Sequence, residues 1–387
     1  MKKKLAVIGK GTSGCQSIIH FLRYMPDCEI EWYFDPNVPT QSVGEGSAIQ
    51  FPKNLFLGLN FSYFDLNKID GSVKFGIYKS GWGNQKDFLH QFVPPQISFH
   101  FSAKALQQYV FDSVKDKVKI IEANVTPDKI DADYVMSCAG KPESYDEFHR
   151  SSYIPVNAAY ITQCFWDYPR FQYTLTIARP YGWVFGIPLQ NRCSIGYLYN
   201  RNINTESEVK EDVKNIFKQY NLIPSDTTNS LKFENYYKKQ THHGRVSYNG
   251  NASFFLEPME ATSISTMDRI QRGAFDVWNG NTNLEDANLM YYGYMLQIQA
   301  IIMLHYFAGS CYDTDFWKFA QERGKECIQN TLKYDEYLMQ MLNHAIIKSK
   351  SNLCEDLGEY GIWGSNSFHE NIFGLGINKS LQNLLNQ

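Results

Sequence analysis

The segment from Phe254 to Thr266, FFLEPMEATSIST, places two carboxylates at the point where an apolar run ends. A carboxylate held where a buried strand ends can accept or donate a proton, so Glu260 is a candidate for acid–base chemistry. The alternative for Glu260 is an acid favoured by the dipole of a helix start. Thr262 and Ser263 follow, either as helix caps or as the N–H donors of an anion site. For Glu257 the expected role is structural, holding N–H groups of the loop.

A glycine pattern near the start of the chain indicates a dinucleotide site. Three glycines fit G-x-G-x-x-G between an apolar strand, KKLAVIG, and a helical run, CQSIIHFLRYM. Such glycines allow a tight turn, close approach of a pyrophosphate and close packing of helix on strand, while the helix start supplies N–H groups. The second strand, EIEWYFD, ends in an acid at the spacing that suits the adenosine ribose. The expected contacts are Gly9, Gly11, Thr12, Ser13, Gly14 and Asp35.

A second complete glycine fingerprint is missing from the sequence. GLGINK has Lys379 where a third glycine belongs, so one dinucleotide is expected. The segment NGNASFFLEP, residues 249–258, places a Gly-Asn turn before a late strand. Flavoproteins commonly return such a segment to the flavin, and this analogy favours FAD over NAD, with Asn251 as a contact.

Composition excludes several classes of function. The net charge of −3 argues against a protein built around nucleic acid or anionic lipid. The eight cysteines form no CxxC pair and have no histidine at zinc spacing, so no metal site is expected and a reducing cytoplasm is favoured. The longest stretch without charged residues, 288–312, contains two glutamines and a histidine, which favours a buried helix over a membrane span. The apolar run at the start is too short for a signal peptide.

Several separated motifs resemble the flavin-dependent halogenases of the tryptophan-halogenase type. GKGTSG resembles their GxGxxG, SVGEGS their VGE[AG]T loop, GWVFGIP their WxWxIP and FLEPMEATS their FxEPLESTG. ADYVMSCAG, HYFAGSCYDTDFW and FGLG also have counterparts, so the likeness runs from residue 1 to about 380. The resemblance implies that Val43, Gly44 and Glu45 contact the cofactor.

The resemblance also implies the fold and its division. The expected class is mixed α/β, with an FAD-binding Rossmann-like domain interwoven with a β-sheet substrate domain and a helical C-terminal part. The whole chain is then one flavoprotein unit. Its expected FAD-binding segments are about 1–60, 100–140 and 240–280, its β-sheet part about 61–99 and 141–239, and its helical part about 281–387.

The chemistry implied by the family is halogenation of an electron-rich aromatic substrate. Reduced FAD, supplied by a separate flavin reductase, reacts with O2 and a halide ion to give hypohalous acid. The family's lysine, which captures or orients that oxidant, matches Lys74, and the family's catalytic acid matches Glu260. Lys79 is the competing lysine. The segment of residues 71–82 alternates like one strand, on which positions 74 and 79 face opposite sides, so only one lysine is expected to face the pocket.

The remaining site residues are also assigned by the resemblance. In the family, halide binds the amides that match Thr262 and Ser263, and Ser263 stands where most members have glycine. Phe185 replaces the second Trp of WxWxIP. A wall between flavin and substrate is expected from Trp183, Phe185, Ile187 and Pro188. The alternative for these four is a strand with core aromatics.

The chain also departs from the tryptophan halogenases. Only 17 residues separate Trp82 from His100, where those enzymes carry a much longer insertion that belongs to their indole clamp. Free tryptophan is therefore a doubtful substrate, and a more open site for varied aromatics is expected. Two alternatives stay open: an FAD monooxygenase without halogenation, which Ser263 and Phe185 favour, and a non-catalytic nucleotide-binding protein. The oligomeric state is open.

Overall fold

The computed structural model describes residues 2–39, 46–85, 87–348 and 357–386. Its fold is mixed α/β, as the sequence predicts. Within the described residues the α-helices are α1 Thr12–Tyr24, α2 Gln50–Leu59, α3 Ala103–Val114, α4 Glu206–Gln219, α5 Thr262–Asn279, α6 Leu284–Ala308, α7 Asp315–Leu332, α8 Glu336–Lys348, α9 Ser365–Gly374 and α10 Asn378–Leu385.

The strands are short in most of the chain and longest in its middle. They are β1 Lys4–Ile8, β2 Glu29–Phe34, β3 Ser72–Lys74, β4 Gly76–Ser80, β5 Phe88–Gln91, β6 Ser98–His100, β7 Lys119–Glu122, β8 Tyr134–Ser137, β9 Phe148–Arg150, β10 Ala158–Phe165, β11 Thr174–Arg179, β12 Gly182–Pro188, β13 Arg192–Tyr199, β14 Ile223–Lys232, β15 Tyr236–Lys238, β16 His242–His243, β17 Val246–Tyr248, β18 Phe254–Phe255, β19 Glu359–Tyr360 and β20 Trp363–Gly364.

The chain forms two compact units, each assembled from separated segments. The first unit comprises Met1–Val73, Ser98–Arg150 and Asn235–Gly293. The second comprises Lys74–Ile97, Ser151–Glu234 and Tyr294–Gln387.

The first unit contains a six-stranded sheet in the order β16-β17-β8-β1-β2-β7. The strands from β17 to β7 run parallel, and only β16 is antiparallel to its neighbour. β1 lies inside this sheet and has a continuous apolar run, Leu5 to Ile8, because helices or loops cover both faces of a parallel sheet. The carboxyl end of β1 leads directly into the glycine turn, where doubly wound sheets bind their ligands.

The second unit contains a seven-stranded sheet in the order β14-β10-β13-β12-β11-β4-β5. All its pairs are antiparallel except β11 with β4. One face packs on α4 through Val209, Val213 and Ile216, together with Val184 of β12. Because side chains alternate along a strand, Trp183 and Phe185 lie on the other face.

These elements differ from the sequence analysis in two places. A helix, α4, lies within the β-sheet part that was expected at about 141–239. Its start is fixed by a capping box in which Thr205 and Glu208 satisfy each other's N–H groups. The segment 71–82 was predicted as one strand, yet β3 ends at Lys74 and β4 begins at Gly76, because β3 pairs with β6 and β4 with β5 and β11.

The adjacent histidines of β16 point apart, as expected for neighbours on a strand. His242 is 2% exposed, its Nδ1 lies 2.6 Å from Ser247 Oγ, and burial lowers the pKa of its ring to about 4. His243 is exposed. In the part of the chain that the structure describes, no group of three potential metal ligands comes together. No helix among those residues combines the length and the apolar character that crossing a membrane requires.

Candidate active site

The glycine turn after β1 is shaped as the fingerprint requires. Gly9 has a φ of +102°, and a Cβ there would overlap the carbonyl oxygen of Cys138. A Cβ on Gly14 would in turn overlap the carbonyl of Gly9, so helix and turn can approach this closely only without side chains. Gly11 differs: a Cβ there would meet no described heavy atom within 4 Å.

The open space beside Gly11 lies at the N-terminus of α1, where Gly11 is the N-cap and no side chain caps the helix. The first N–H groups of a helix have no partner inside the helix and attract anions. A space that a side chain would fill, next to such donors, fits the pyrophosphate of a dinucleotide. Ser13, at the same helix start, is 7% exposed.

Two buried cysteines, Cys15 and Cys138, lie beside this turn and carry no charge. Burial raises the pKa of the Cys15 thiol to about 12 and that of Cys138 to about 11, so both thiols stay protonated. Lys10, between the first two glycines, carries the nearest positive charge in the turn, with its Nζ 3.9 Å from the centre of the Phe111 ring. Sequence reasoning did not single out Lys10.

Asp35 follows the last residue of β2 and is partly exposed. One of its carboxylate oxygens accepts hydrogen bonds from the backbone N and from Nδ2 of Asn37, at 2.8 and 3.0 Å. The other oxygen is the atom that a ribose hydroxyl would approach. Val43, Gly44 and Glu45, the predicted cofactor contacts of the next loop, lie outside the described residues.

The late segment from Asn249 to Ala252 packs against the start of α1. A Cβ on Gly250 would overlap Ser13 Oγ, so the two segments approach within van der Waals contact. Asn249 is fully buried; its side chain accepts from Gly250 N at 2.7 Å and donates to Met267 O of α5 at 3.1 Å. Asn251, the predicted contact, accepts a hydrogen bond from Tyr236 at its carbonyl, 2.8 Å away.

The start of α5 has an unusual backbone. Glu260 has φ 62° and ψ 11°, and Ala261 has φ 56° and ψ 32°, so two consecutive non-glycine residues are left-handed. Each such residue costs about 1–2 kcal/mol, and strain of this kind concentrates at functional sites. Glu260 is 6% exposed, so the strained turn places a carboxylate in a buried position immediately before the helix.

Thr262 and Ser263 are the first two residues of α5, and the N-cap is Ala261, whose side chain makes no capping hydrogen bond. The N–H groups of the first turn have no partners within the helix. Thr262 is 2% exposed. Glu257, three residues before Glu260, is fully buried, and its N–H donates to Asn235 Oδ1 at 2.9 Å.

Lys74 and Lys79 are both buried, with exposures of 1% and 0%. The prediction that their positions on one strand separate them therefore does not hold, since they belong to different strands. Lys74 Nζ lies 5.5 Å from the ring centre of Phe92. Lys79 donates to Asn371 Oδ1 of α9 and lies between the rings of Phe88 and Trp363, at 5.6 Å from each centre.

The four predicted wall residues form most of β12, and all are buried. Trp183, Phe185 and Ile187 share one face of the sheet, since they alternate along the strand. The Trp183 ring lies 6.3 Å from Trp82 and 6.4 Å from Phe185. This face is therefore a continuous aromatic surface, within the second unit, opposite the face that α4 covers.

The comparisons with known proteins identify the family of the chain. The family model of the tryptophan halogenases matches residues 115–380, which is more than half of the chain. The chain belongs to the tryptophan halogenase family. Membership in this family of enzymes also removes the non-catalytic alternative.

Solved structures of halogenases have the same fold. A flavin-dependent halogenase from Xanthomonas campestris is 16% identical, with a TM-score of 0.80. The match covers 100% of this chain and 94% of the chain of that halogenase. A tryptophan 6-halogenase from Streptomyces toxytricini is 16% identical (TM-score 0.76; 99% and 96% covered). A flavin-dependent halogenase from Brevundimonas sp. BAL3 is 17% identical (TM-score 0.77; 100% and 96% covered). At these identities the likeness shows the fold.

Sequence reasoning missed a contact that fixes the position of Phe185 on the aromatic surface of β12. Phe185 pairs with Gly196 of β13, and a Cβ on Gly196 would overlap the Phe185 ring. The end of the ring therefore occupies the space that a side chain at position 196 would need. A glycine inside a strand, directly across from an aromatic residue, is the signal that could have predicted this contact.

Within the first unit, the structure brings one part of the predicted cofactor set, the glycine turn and the start of α1, against the late segment 249–252. The glycine turn, Ser13 and Gly250 are in contact, and Asn249 joins that segment to α5, whose first residues are the predicted halide donors. Glu260 belongs to the first unit and Lys74 to the second.

Proposed function

We propose that this member of the tryptophan halogenase family is an FAD-dependent halogenase that replaces a ring hydrogen of an electron-rich aromatic substrate with halogen. The observation that carries the proposal is the start of α5, where a buried Glu260 is held by a strained backbone beside the N–H groups of a helix. That pairing of acid and anion donors within four residues suits a reaction that consumes a halide and releases a proton.

The cofactor proposed for the glycine turn is FAD, supplied in reduced form by a separate flavin reductase. Bound reduced FAD would activate O2, and O2 would be the oxidant: it takes two electrons from the reduced flavin and two from the halide ion, giving hypohalous acid and water. The space at Gly11 and the donors of α1 hold the pyrophosphate, Lys10 offsets its charge, and Asp35 accepts from the ribose. Val43, Gly44, Glu45 and Asn251 are proposed contacts on the strength of the family resemblance.

The proposed halide donors are the backbone N–H groups of Thr262 and Ser263, at the positive end of the α5 dipole. Lys74 holds the electrophilic halogen in one of two ways. Its N–H donates a hydrogen bond to hypohalous acid, or its amine takes the halogen as a haloamine while the O–halogen bond and one N–H bond break and water leaves. Glu260 stabilises the cationic ring that forms on halogen attack and accepts the departing proton. Burial of both groups strengthens these electrostatic interactions, because the effective dielectric constant is lower than in water.

Trp183, Phe185, Ile187 and Pro188 are proposed to separate the flavin from the organic substrate, so that only the small oxidant passes. The short segment between Trp82 and His100 leaves less chain to clamp a small amino acid. Aromatic substrates of varied size, rather than free tryptophan, are therefore proposed.

The test is a screen of phenols and indoles with chloride, bromide and iodide, in the presence of FAD, NADH and a flavin reductase. Mass spectrometry should show halogen in place of hydrogen, with the isotope pattern of chlorine or bromine. Matched variants are Lys74→Met against Lys79→Met, since both lysines are buried, and only the first should abolish product. Halogenation that persists in both Lys74→Met and Glu260→Gln would reject the assigned residues.

A second candidate is an FAD monooxygenase without halogenation. Ser263 favours it, because a side chain at the second proposed halide donor changes the space beside that amide. Hydroxylated product in the same screen, with none of the three halides incorporated, would select this alternative.

A further inference from the structure

Three tryptophans of the second unit form a row of contacting rings. Trp183 of β12 lies on the aromatic surface, Trp82 follows β4, and Trp317 belongs to the first turn of α7. The ring centres are 6.3 Å apart between Trp183 and Trp82, and 5.2 Å apart between Trp82 and Trp317. Aromatic rings at these separations are in direct contact.

The three rings are buried and held in place. Trp183, Trp82 and Trp317 are 1%, 2% and 3% exposed. Trp82 Nε1 donates to Thr176 O at 3.0 Å, and Trp317 Nε1 donates to Arg179 O at 2.7 Å. Electron transfer between rings is fast when they touch and are shielded from water, because its rate falls exponentially with distance and little solvent has to reorganise. The row meets both conditions.

The row continues to a tyrosine that reaches the solvent. Arg179, whose carbonyl accepts from Trp317, also donates from Nη1 to Tyr312 Oη at 3.3 Å. Tyr312 is partly exposed, so Arg179 joins the last buried indole to a phenol in contact with water. Burial raises the pKa of Tyr312, and a phenol that is protonated at neutral pH gives up its proton when it is oxidised.

The types of these side chains suit the transfer of single electrons. Indole and phenol lose one electron at much lower potential than the rings of phenylalanine or histidine. A phenol that releases its proton is oxidised more easily than an indole. An electron that leaves Trp183 is therefore replaced from Trp82, then from Trp317 and finally from Tyr312, which is the lowest point of the row in energy.

We propose that Trp183, Trp82, Trp317 and Tyr312 form an electron-transfer chain that carries single oxidising equivalents from the aromatic surface of β12 to the solvent. A one-electron oxidant, such as a halogen atom, takes one electron from Trp183 and becomes a halide ion. Three transfers along the chain restore Trp183, and Tyr312 loses one electron and gives its phenolic proton to water. A soluble reductant, such as ascorbate or a thiol, returns one hydrogen atom to Tyr312.

The use of the chain rests on the proposed function, because that function places an oxidant beside Trp183. The chain then protects the aromatic surface from radicals formed during halogenation. The electron transfer itself needs neither flavin nor halide, so it is tested in their absence.

The experiment starts an oxidation at Cys311, which is exposed and precedes Tyr312. With Cys28→Ser and Cys354→Ser in place, a ruthenium(II) photosensitiser is attached to Cys311. Light and a cobalt(III) electron acceptor convert the label to ruthenium(III), which takes one electron from the chain. Tryptophan radicals combine with oxygen, and peptide mass spectrometry identifies the residue that gained it. Modification without the cobalt acceptor comes from singlet oxygen and is subtracted.

The labelled variants report on each part of the chain. In Tyr312→Phe the exit is removed, so Trp183 should gain oxygen, and the parent with Tyr312 should lose most of that modification. Adding Trp82→Phe to Tyr312→Phe should abolish the modification of Trp183, because it interrupts the row. Trp166, which is buried in the same unit against Phe171, is the internal control and should stay unmodified. Circular dichroism checks the fold of each variant.

Three results would overturn the proposal. They are the absence of oxygen on Trp183 in Tyr312→Phe, equal modification of Trp183 with and without Tyr312, and modification that persists when Trp82→Phe is added. The first two leave the buried row intact, so the test decides even if Trp82→Phe does not fold. A failed substrate screen would reject the proposed function and leave these three results unaffected.

Discussion

Two helices of the first unit begin at proposed anion sites, and they begin in different ways. α1 starts after a glycine turn in which Gly9 is left-handed and Gly11 leaves open space. α5 starts after Glu260 and Ala261, both left-handed although neither is glycine. Glycine at the start of α1 removes the free-energy cost of a left-handed backbone. At the start of α5 that cost remains, because Glu260 and Ala261 both carry side chains.

The proposed ligands account for the difference. The dinucleotide proposed at α1 is large and would approach the backbone, so side chains must be absent there. The halide proposed at α5 is small and a carboxylate is proposed beside it, so glycine at position 260 would remove the proposed catalytic group. Strain at α5 is thus the cost of holding Glu260 where a side chain is rarely allowed.

The largest expected effect comes from removing the acid that the strained turn holds. Glu260→Gln should lower kcat by about 10²–10⁴-fold, the range for a general acid or base, and leave FAD affinity unchanged. Single-turnover halogenation and FAD titration measure the two quantities. Glu257→Gln is the control, and we expect it to lower thermal stability more than kcat. Equal activity of Glu260→Gln and the wild type would contradict the proposed role of Glu260 at the start of α5.

At the start of α1, replacing one glycine should mainly lower stability, and replacing another should mainly weaken FAD binding. Gly9→Ala should destabilise the protein by about 3 kcal/mol or more, since it combines positive φ with overlap against Cys138. Gly11→Val should destabilise the protein by only about 1 kcal/mol, because valine is a poorer N-cap residue than glycine, and should weaken FAD binding at least tenfold, because its side chain enters the open space proposed for the pyrophosphate. Urea unfolding measures the stability of each variant, and fluorescence titration measures its affinity for FAD. Loss of stability in Gly11→Val without loss of FAD affinity would contradict the assignment.

Lowering the pH should reduce the stability of the protein through His20 of α1. The folded pKa of about 3 is below the value of about 6.5 expected in the unfolded chain, so unfolding takes up a proton below pH 6.5. Stability from this group is complete above pH 6.5 and is lost progressively as the pH falls towards 3. Between pH 6.5 and 5 the loss should be about 2 kcal/mol. Denaturant unfolding at both values measures it.

His20→Gln should flatten this pH dependence, and the exposed His243→Gln should not. A slope unchanged in His20→Gln would show that another group is responsible, with His242 the next candidate because burial lowers its pKa as well.

The smallest expected effect tests the strain directly. Ala261→Gly should stabilise the protein by about 0.5–1 kcal/mol, the relief of a left-handed alanine less the greater entropy of glycine in the unfolded chain. Thermal unfolding of this variant measures the effect. A destabilised Ala261→Gly would mean that the left-handed geometry at α5 carries no net strain.

Features with local causes were predictable from the sequence. β1, its glycine turn and α1 follow from an apolar run, three glycines and helical periodicity, all within 25 residues. The position of α5 was predictable too, but the left-handed geometry of Glu260 was not, because nothing in EPMEATS requires a non-glycine residue to adopt it. Such strain is imposed by the surrounding fold.

Features with remote causes were not predictable. The break between Lys74 and Lys79 arises because β3 and β4 pair with different strands, and a single sequence does not give strand partners. α4 was missed since its three buried apolar positions are spread among charged residues. Its capping box at Thr205 and Glu208 was the available signal.

The close contact between Phe185 and Gly196 has a practical consequence for changing substrate range. Any larger residue at position 196 must push the Phe185 ring out of its place without altering Phe185 itself. Alanine, serine and valine at this position would form a graded series for tilting the aromatic surface. Selectivity could then be adjusted from the adjacent strand, with every proposed reacting group left intact.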